Sequence, residues 1–400
     1  MARRPSNLTP GKGTRRVALI YDATHPYDVK VMSGVAAYLQ RSGARWNIYL
    51  EQRALCQQHL PDLSTWRGDG ILADLDDPRV AAQVLASRLP TVAWGSGFGW
   101  YDPASGIPYF DSDNHAVARL VADHLLERGF RQFAFYGYQK SQITGFSIER
   151  GDAFGQCVRA AGCRLWQNEG PYQGLLKWES LQSRLRAWLE SLPKPIGLMA
   201  ANDKAARRVL EACRASGIRV PEDIAVVGVD NDDMLCQLSS PPLSSVEQGA
   251  RRVGFQAAEL LDLLMSGRRP RRRKYFIPPE GIVIRRSTDV IAVEDTCIMA
   301  ALASIRAHAC DGIKVQDVAQ VVALSRSQLD RRFKSVVGRT IHDEIRRVRL
   351  DQAQRLIRET SLPLKQIALR CGFRTVQHMT QLFHEFVGFP PGTYRSRHVL

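Results

Sequence analysis

Val17-Ala18-Leu19-Ile20-Tyr21 is an unbroken apolar run, and Val31, Met32, Val35, Ala36 and Leu39 follow it at helical spacing. A run of that length reads as a strand buried on both faces, and the residues after it as one side of a helix laid against it. The same alternation recurs downstream. Strands are predicted at 46–50, 70–73, 91–94, 132–136, 196–200 and 224–229, with helices near 78–88, 114–128, 147–161, 178–191 and 203–216. Strands and helices in series require right-handed crossovers, which wind into parallel sheets covered by helices on both sides. Such sheets take their ligands at the carboxyl ends of the strands. A helix over 249–265 and a strand pair at 275–278 and 282–285 complete this α/β body.

Past about residue 290 the strands stop, and helices are predicted at 296–309, 315–322, 326–337, 341–359, 364–371 and 376–387. An internal repeat runs through them. Ala319, Leu324, Leu329, Phe333 and Gly338 recur as Ala368, Phe373, Met379, Phe383 and Gly388, offset by 49 residues before the turn and 50 after it. Each copy reads as helix, tight turn, helix, the arrangement that fits a second helix into the major groove of DNA. In the first copy Leu329, Phe333 and Val336 are assigned to the core, which leaves Arg326, Ser327, Asp330 and Arg331 facing outward. The second copy offers Arg374, Thr375, Gln377, Thr380 and Gln381. Arginine suits guanine, glutamine suits adenine, and aspartate accepts from cytosine. Lys334, Arg339 and Arg346 lie toward helix ends and joints, where phosphate contacts are expected.

A chain of 400 residues has length for more than one core, and 44% apolar with 24% charged residues excludes a disordered or collagenous polymer. The net charge of +15 is unevenly placed: residues 1–16 carry +5, 266–289 carry +6 and 290–400 carry +7, which leaves −3 on 17–265. A nearly neutral body with basic flanks reads as a body that does not touch nucleic acid joined to a part that does. The basic run 267–274 reads either as a solvated loop or as a phosphate-contacting arm. Eight scattered cysteines form no C-x-x-C pair, so reduced core thiols and no metal site are expected. The N-terminal arginines precede no apolar core of export-signal length, and no stretch approaches 18 apolar residues, so the expectation is a cytoplasmic protein that does not span a membrane.

Ile367-Ala368-x-x-x-Gly372-Phe373, followed by Phe383-x-x-x-x-Gly388-x-x-Pro391-x-x-Tyr394-Arg395, resembles the signature of the arabinose-regulator (AraC/XylS) family of bacterial transcription factors. The resemblance covers about 295–398 and implies two helix-turn-helix units reading successive major-groove faces. It departs at His384, where the family commonly has a basic Lys or Arg. In the body, Ala200-Ala201-Asn202-Asp203, Asp230-Asn231 after the strand at 224–229, and the segment Leu243 to Gln248 are similar to the effector domain of the lactose-repressor family and to periplasmic sugar-binding proteins. That likeness implies two α/β lobes closing over one sugar, with His25, Tyr27, Arg150, Asn202, Asp203, Asp230 and Gln248 at ligand-contacting positions. Tyr27 and Phe146 are expected to supply the aromatic wall a sugar needs beside paired donors and acceptors. Gly95-Ser96-Gly97 stands where ribose-type binders carry an acidic-basic pair, so one side of the pocket is left open by the sequence.

Lactose-repressor proteins place their DNA reader first, whereas here the reader follows the sugar domain. This order resembles regulators of bacterial pentose-utilisation operons, and implies D-xylose as effector and activation of xylose-utilisation genes. The expected architecture is a basic tail at 1–16, a periplasmic-binding-protein-like sugar-binding and dimerisation domain at 17–289, and an all-α DNA-binding domain at 290–400. Expected partners are double-stranded operator DNA, a small sugar, a second copy of the chain, and RNA polymerase if the protein activates; no cofactor is expected. Two rival readings remain at this level. Asp203 and Asp230 could form the acid/base pair of a sugar-modifying enzyme, although no phosphate-binding or zinc-protease motif accompanies them. An exported sugar-binding protein is the other, and it leaves the C-terminal repeat unused.

Overall fold

A computed structural model describes residues 13–53, 63, 66–75, 78–95, 103–140, 144–171, 178–270, 272–289, 295–337, 339–360 and 362–398. Most of the basic tail, Ser96 and Gly97, and Gly338 of the repeat lie outside the described residues. The chain divides into two compact units between 290 and 291.

The first unit has two lobes. One begins with β1 (Arg15–Asp22), α1 (Pro26–Ser42), β2 (Trp46–Arg53), β3 (Gly70–Asp74), α2 (Pro78–Ser87), β4 (Thr91–Gly95) and β5 (Tyr109–Ser112). The other takes α3 (Asn114–Glu127), β6 (Gln132–Tyr138), α4 (Gly145–Ala160), β7 (Arg164–Gly170), α5 (Trp178–Ser191), β8 (Ile196–Ala200), α6 (Asp203–Ala215), β9 (Ile224–Val229), α7 (Asp233–Leu238) and β10 (Ser244–Glu247). Then α8 (Ala250–Met265) and β11 (Lys274–Ile277) return to the first lobe, and β12 (Gly281–Val283) to the second. The strand orders are β11-β5-β4-β3-β1-β2, all parallel, and β12-β10-β9-β8-β6-β7, parallel except for β12. Both orders reverse beside the first strand of their lobe, and crevices for ligands open at such reversals.

β1 shows why the apolar run decides the fold. Val17, Leu19 and Tyr21 pack toward α1 and α8, while Ala18 and Ile20 pack with Val80 and Val84 of α2 on the opposite side. α1 starts on Pro26 and stops at Gly43, whose N–H reaches the Leu39 carbonyl in the left-handed conformation. Gly34 and Gly254 let α1 and α8 touch backbone to backbone: a Cβ on Gly34 would stand 2.0 Å from the Arg251 oxygen, and one on Gly254 1.8 Å from that of Val31.

The expected strand pair at 275–278 and 282–285 is not a pair. β11 joins β5 in one sheet and β12 joins β10 in the other. Pro278 and Pro279 between them hold the chain extended and supply no N–H, so the segment crosses between lobes instead of turning back. Further crossings lie at 112–114 and 247–250. Elements missed by the sequence reading are β5, β7, β10, α7 and α15; β7 is a largely polar strand and β10 only four residues long.

The second unit contains α9 (Thr296–His308), α10 (Val315–Val321), α11 (Arg326–Val337), α12 (Ile341–Glu359), α13 (Leu364–Arg370), α14 (Val376–Val387) and α15 (Pro391–His398). It has two apolar cores, one around Leu329, Phe333 and Ile341 and one around Ile367, Met379 and Phe383. α12 serves both, giving Ile341 and Ile345 to the first and Leu350, Ala353 and Ile357 to the second. Val337, not Val336, completes the buried side of α11, because burial there steps by four residues from Leu329 through Phe333; Val336 is 38% exposed.

The repeat is exact in its hydrogen bonds. Leu324 N–H donates to the Ala319 oxygen at 3.2 Å, and Phe373 N–H to that of Ala368 at 3.0 Å. The left-handed residue of each turn is Ala323 (φ 53°) in one copy and Gly372 (φ 72°) in the other.

Candidate functional site: an interlobe cleft and a two-helix DNA face

The cleft between the lobes is lined by His25, Pro26, Tyr27, Asp28, Phe146, Arg150, Asn202, Lys204, Asp230 and Gln248. These residues follow the carboxyl ends of β1, β6, β8, β9 and β10. The space among them is about 40 Å³. A larger hollow of about 510 Å³ lies at the amino ends of β4 and β5, against Val84, Arg88 and Ile107. It belongs to one lobe and gathers no comparable set of polar groups.

Arg150 organises the cleft. Its guanidinium is buried and places every nitrogen: Nε donates to Asn114 Oδ1 at 2.8 Å, Nη1 to the Ala201 carbonyl at 2.6 Å and Nη2 to Gln248 Oε1 at 2.6 Å. Gln248 Nε2 in turn donates to Asp230 Oδ1. The result is a chain from guanidinium through amide to carboxylate, with its geometry fixed before any ligand arrives. Burial draws the Arg150 guanidinium below its usual value, and the Asp230 charge acts against that. Burial raises the Asp230 carboxyl to about 6, with the Arg150 charge and the Gln248 hydrogen bond holding it back.

The aromatic wall is Phe146, whose ring lies 5.0 Å under the Arg150 guanidinium, and Tyr27, whose hydroxyl accepts from Ser112 Oγ at 3.2 Å. Asn202 Oδ1 caps α6 through Ala205 N–H at 3.0 Å and accepts from Tyr138 OH at 2.7 Å. Asp203, expected at the cleft wall, is held behind it. Its Oδ1 accepts from Ser245 Oγ at 2.6 Å, and its Oδ2 from Asp232 N–H at 2.8 Å and Cys236 Sγ at 3.4 Å. Burial and then the Asp230 charge raise it to about 8. It anchors β10 and α7 to α6, and Gly228 leaves room for it: a Cβ there would stand 2.1 Å from Asp203 Oδ1.

The sequence reading missed Asp28, Lys204 and Asn114. Asp28 accepts from Trp94 Nε1 at 2.9 Å and Asp22 N–H at 3.0 Å; burial, then the charge of Asp74, push it well above the usual carboxylate range. Asn114 follows β5, a four-residue strand that the sequence reading also missed, so no strand end pointed to it.

In the second unit, Ser325 and Gln328 cap α11 reciprocally, with Ser325 Oγ donating to Gln328 Oε1 at 2.8 Å and Ser325 N–H at 3.2 Å. Arg326, Ser327, Arg331 and Lys334 are exposed along α11, and Asp330 is half-buried with Arg326 Nε 3.7 Å from its carboxylate. On α14, Thr375 caps the helix by accepting from His378 N–H at 3.1 Å. Arg374, Gln377 and Gln381 are exposed and Thr380 half-buried. Arg339, expected at phosphate, instead turns its Nε to the buried Glu344 at 2.5 Å, and Arg346 lies 3.7 Å from Asp343. Burial would raise Glu344, but hydrogen bonds and charges from Arg347 and Arg339 hold it below its ordinary value.

A body whose two lobes flank a cleft of hydrogen-bonding groups and aromatic rings, followed by a double helix-turn-helix reader, defines a sugar-responsive transcription regulator. Family models match along the chain: the XylR N-terminal domain over 16–115, a periplasmic binding protein-like domain over 122–288 and a helix-turn-helix domain over 318–397. The chain belongs to the family of xylose operon regulatory proteins. It is 36% identical to the member from Haemophilus influenzae over 95% of this chain and 98% of that one, and 35% identical to that of Escherichia coli K12 over 95% and 97%. Among solved structures it is similar to the xylose-binding transcription activator xylR, with TM-score 0.75 and 34% identity over 97% of this chain and all of that one. The transcriptional regulator CelR in complex with cellobiose matches with TM-score 0.55 and 25% identity over 70% of this chain and 86% of that one.

Proposed function

We propose that this chain is a D-xylose-responsive activator of xylose-utilisation genes, acting in the cytoplasm as a homodimer on double-stranded operator DNA and recruiting RNA polymerase there. Residues 17–289 form the sugar-binding and dimerisation domain, and 290–400 the DNA-binding domain. The observation that carries the reading is the buried Arg150–Gln248–Asp230 chain beside Phe146 and Tyr27, which offers a small polyol both ends of a hydrogen bond and a ring to lie on. His25 and Asn202 are the remaining ligand contacts. Arg326, Ser327, Asp330, Arg331, Arg374, Thr375, Gln377, Thr380 and Gln381 read bases, and Lys334 holds phosphate. The protein is a binder and not an enzyme: Asp203, half of any acid/base pair with Asp230, has both oxygens engaged by its own fold. Among the described residues no helix is long and apolar enough to cross a membrane.

Titration calorimetry against D-xylose, L-arabinose and D-ribose tests this. D-xylose is expected to bind most tightly, and to be recovered unchanged. Binding of another pentose in its place, or conversion of the sugar, would overturn the assignment.

A further inference from the structure

Lys30 sits on α1, one turn beyond the cleft residues Tyr27 and Asp28, in the first lobe. Its ammonium reaches across to the second. Nζ donates to the Asp230 carbonyl at 2.8 Å, to the Asn231 carbonyl at 2.9 Å and to Glu247 Oε2 at 2.5 Å. Three acceptors meet the three protons of an ammonium, and all three lie at the ends of β9 and β10. Both side chains of the ion pair are sheltered, Lys30 at 27% and Glu247 at 22% exposure.

The two carbonyls are unusual ones. Asp230 has φ 112° and Asn231 φ 48°, so neither backbone is in the region its residue type prefers. The turn is held from its own lobe as well: Asn231 N–H donates to Ser245 Oγ at 2.9 Å, and Arg285 Nη2 donates to Asn231 Oδ1 at 2.9 Å. Asp230 therefore turns its carboxylate to Gln248 in the cleft and its carbonyl to Lys30 across the lobe boundary. Any movement of α1 away from this turn would break all three bonds to Lys30.

We infer that Lys30 is a clasp between the lobes, a positioning residue that favours the closed arrangement without touching the sugar. An isolated exposed ion pair contributes little, but this ammonium is sheltered, fully coordinated, and bonded twice to backbone that carries a cleft residue. Because its contacts exist in only one of two states, it shifts the equilibrium between them. The clasp then sets two properties: the apparent sugar affinity, which scales with the closed population, and the extent to which the protein is closed without sugar. This rests on the sugar-binding reading only for the first property; the second belongs to the free protein.

The test uses the full chain with unnatural-residue spin labels at positions 41 and 214, one in each lobe, diluted in unlabelled chain. Lys30→Met is expected to lengthen the interlobe distance in sugar-free protein and to weaken D-xylose binding about tenfold, about 1.4 kcal/mol. At saturating sugar its distance distribution is expected to match the parent. Lys30→Arg should restore most of both effects. Glu247→Gln, which leaves the two carbonyl bonds, should shift both in the same direction by less, and it serves if Lys30→Met does not fold. Sugar-free distances in folded Lys30→Met and Glu247→Gln that equal the parent's overturn the clasp. Longer distances in Lys30→Met, in a parent that binds no pentose, sustain the clasp and remove the sugar reading instead.

Discussion

Replacing Asp230 by Ala removes the carboxylate that ends the buried chain from Arg150 through Gln248. A hydrogen bond to a charged group contributes about 1.5–3 kcal/mol, so D-xylose binding should weaken about 10- to 150-fold. Asp230→Asn keeps the shape and one oxygen and loses only the charge, so its loss should be nearer tenfold. The effect has a pH signature. Burial raises Asp230 to about 6, so the ionised form that accepts from a sugar hydroxyl dominates at neutral pH and is lost as pH falls through that value. One unit below it, the parent should bind about tenfold more weakly, whereas Asp230→Asn should be flat over the same range. Stability runs the other way: a carboxyl raised on folding contributes stability at acid pH that fades as pH rises through its folded value, so weaker binding at low pH is not unfolding. Calorimetry between about pH 7.5 and 5, with circular dichroism to certify the fold, reads both. A folded Asp230→Ala protein with parental affinity, or a parent whose affinity ignores pH, would show that the Asp230 carboxylate does not hold the sugar.

In the DNA-binding domain, Ala323→Gly should stabilise by up to about 1 kcal/mol, since Ala323 holds a left-handed φ that its partner position gives to a glycine. Gly372→Ala should destabilise by more than that in thermal melts, because the new Cβ would also stand 2.6 Å from the Cys310 carbonyl oxygen. Glu344→Gln removes the buried charge between Arg339 and Arg347, both part-exposed, and should cost about 1–3 kcal/mol; the parent should lose that contribution as acid protonates Glu344, a carboxyl depressed on folding, and denaturant melts across pH check it. Arg331→Ala should flatten preference at one or two base pairs, at about 1–3 kcal/mol on the correct site. Lys334→Ala should weaken all duplexes alike and lower the salt slope by about one; equal losses on specific and random DNA for both variants would remove the distinction.

The sheets were legible because continuous apolar strands leave period and length in the sequence, as at 17–21 and 224–229. β7 and β10 were not, because their residues are mostly polar and their neighbours, not their own pattern, make them strands. Asp230 could be anticipated from its place after the apolar strand 224–229, whereas Arg150, Asn202 and Gln248 came from the resemblance to the lactose-repressor effector domain, which placed Asp203 with them. Asp203 escaped that logic, since a helix-starting carboxylate can face the ligand or the adjoining strand, and Ser245 and Gly228 decide which. Val336 and Val337 differ by one step of a helix, too little for periodicity to resolve. Lys30 reads in sequence as a surface lysine, since its partners lie some two hundred residues away.

Sugar bound in the body should control the binding of DNA by the C-terminal domain. Fluorescence anisotropy of the full chain, on a paired-site duplex selected from a random library in the presence of D-xylose, tests it most directly. Binding is expected to be about 5- to 150-fold tighter with D-xylose than without, with no sugar effect on the weak binding of a single half-site. An affinity for the paired duplex that is the same with and without every pentose would contradict it.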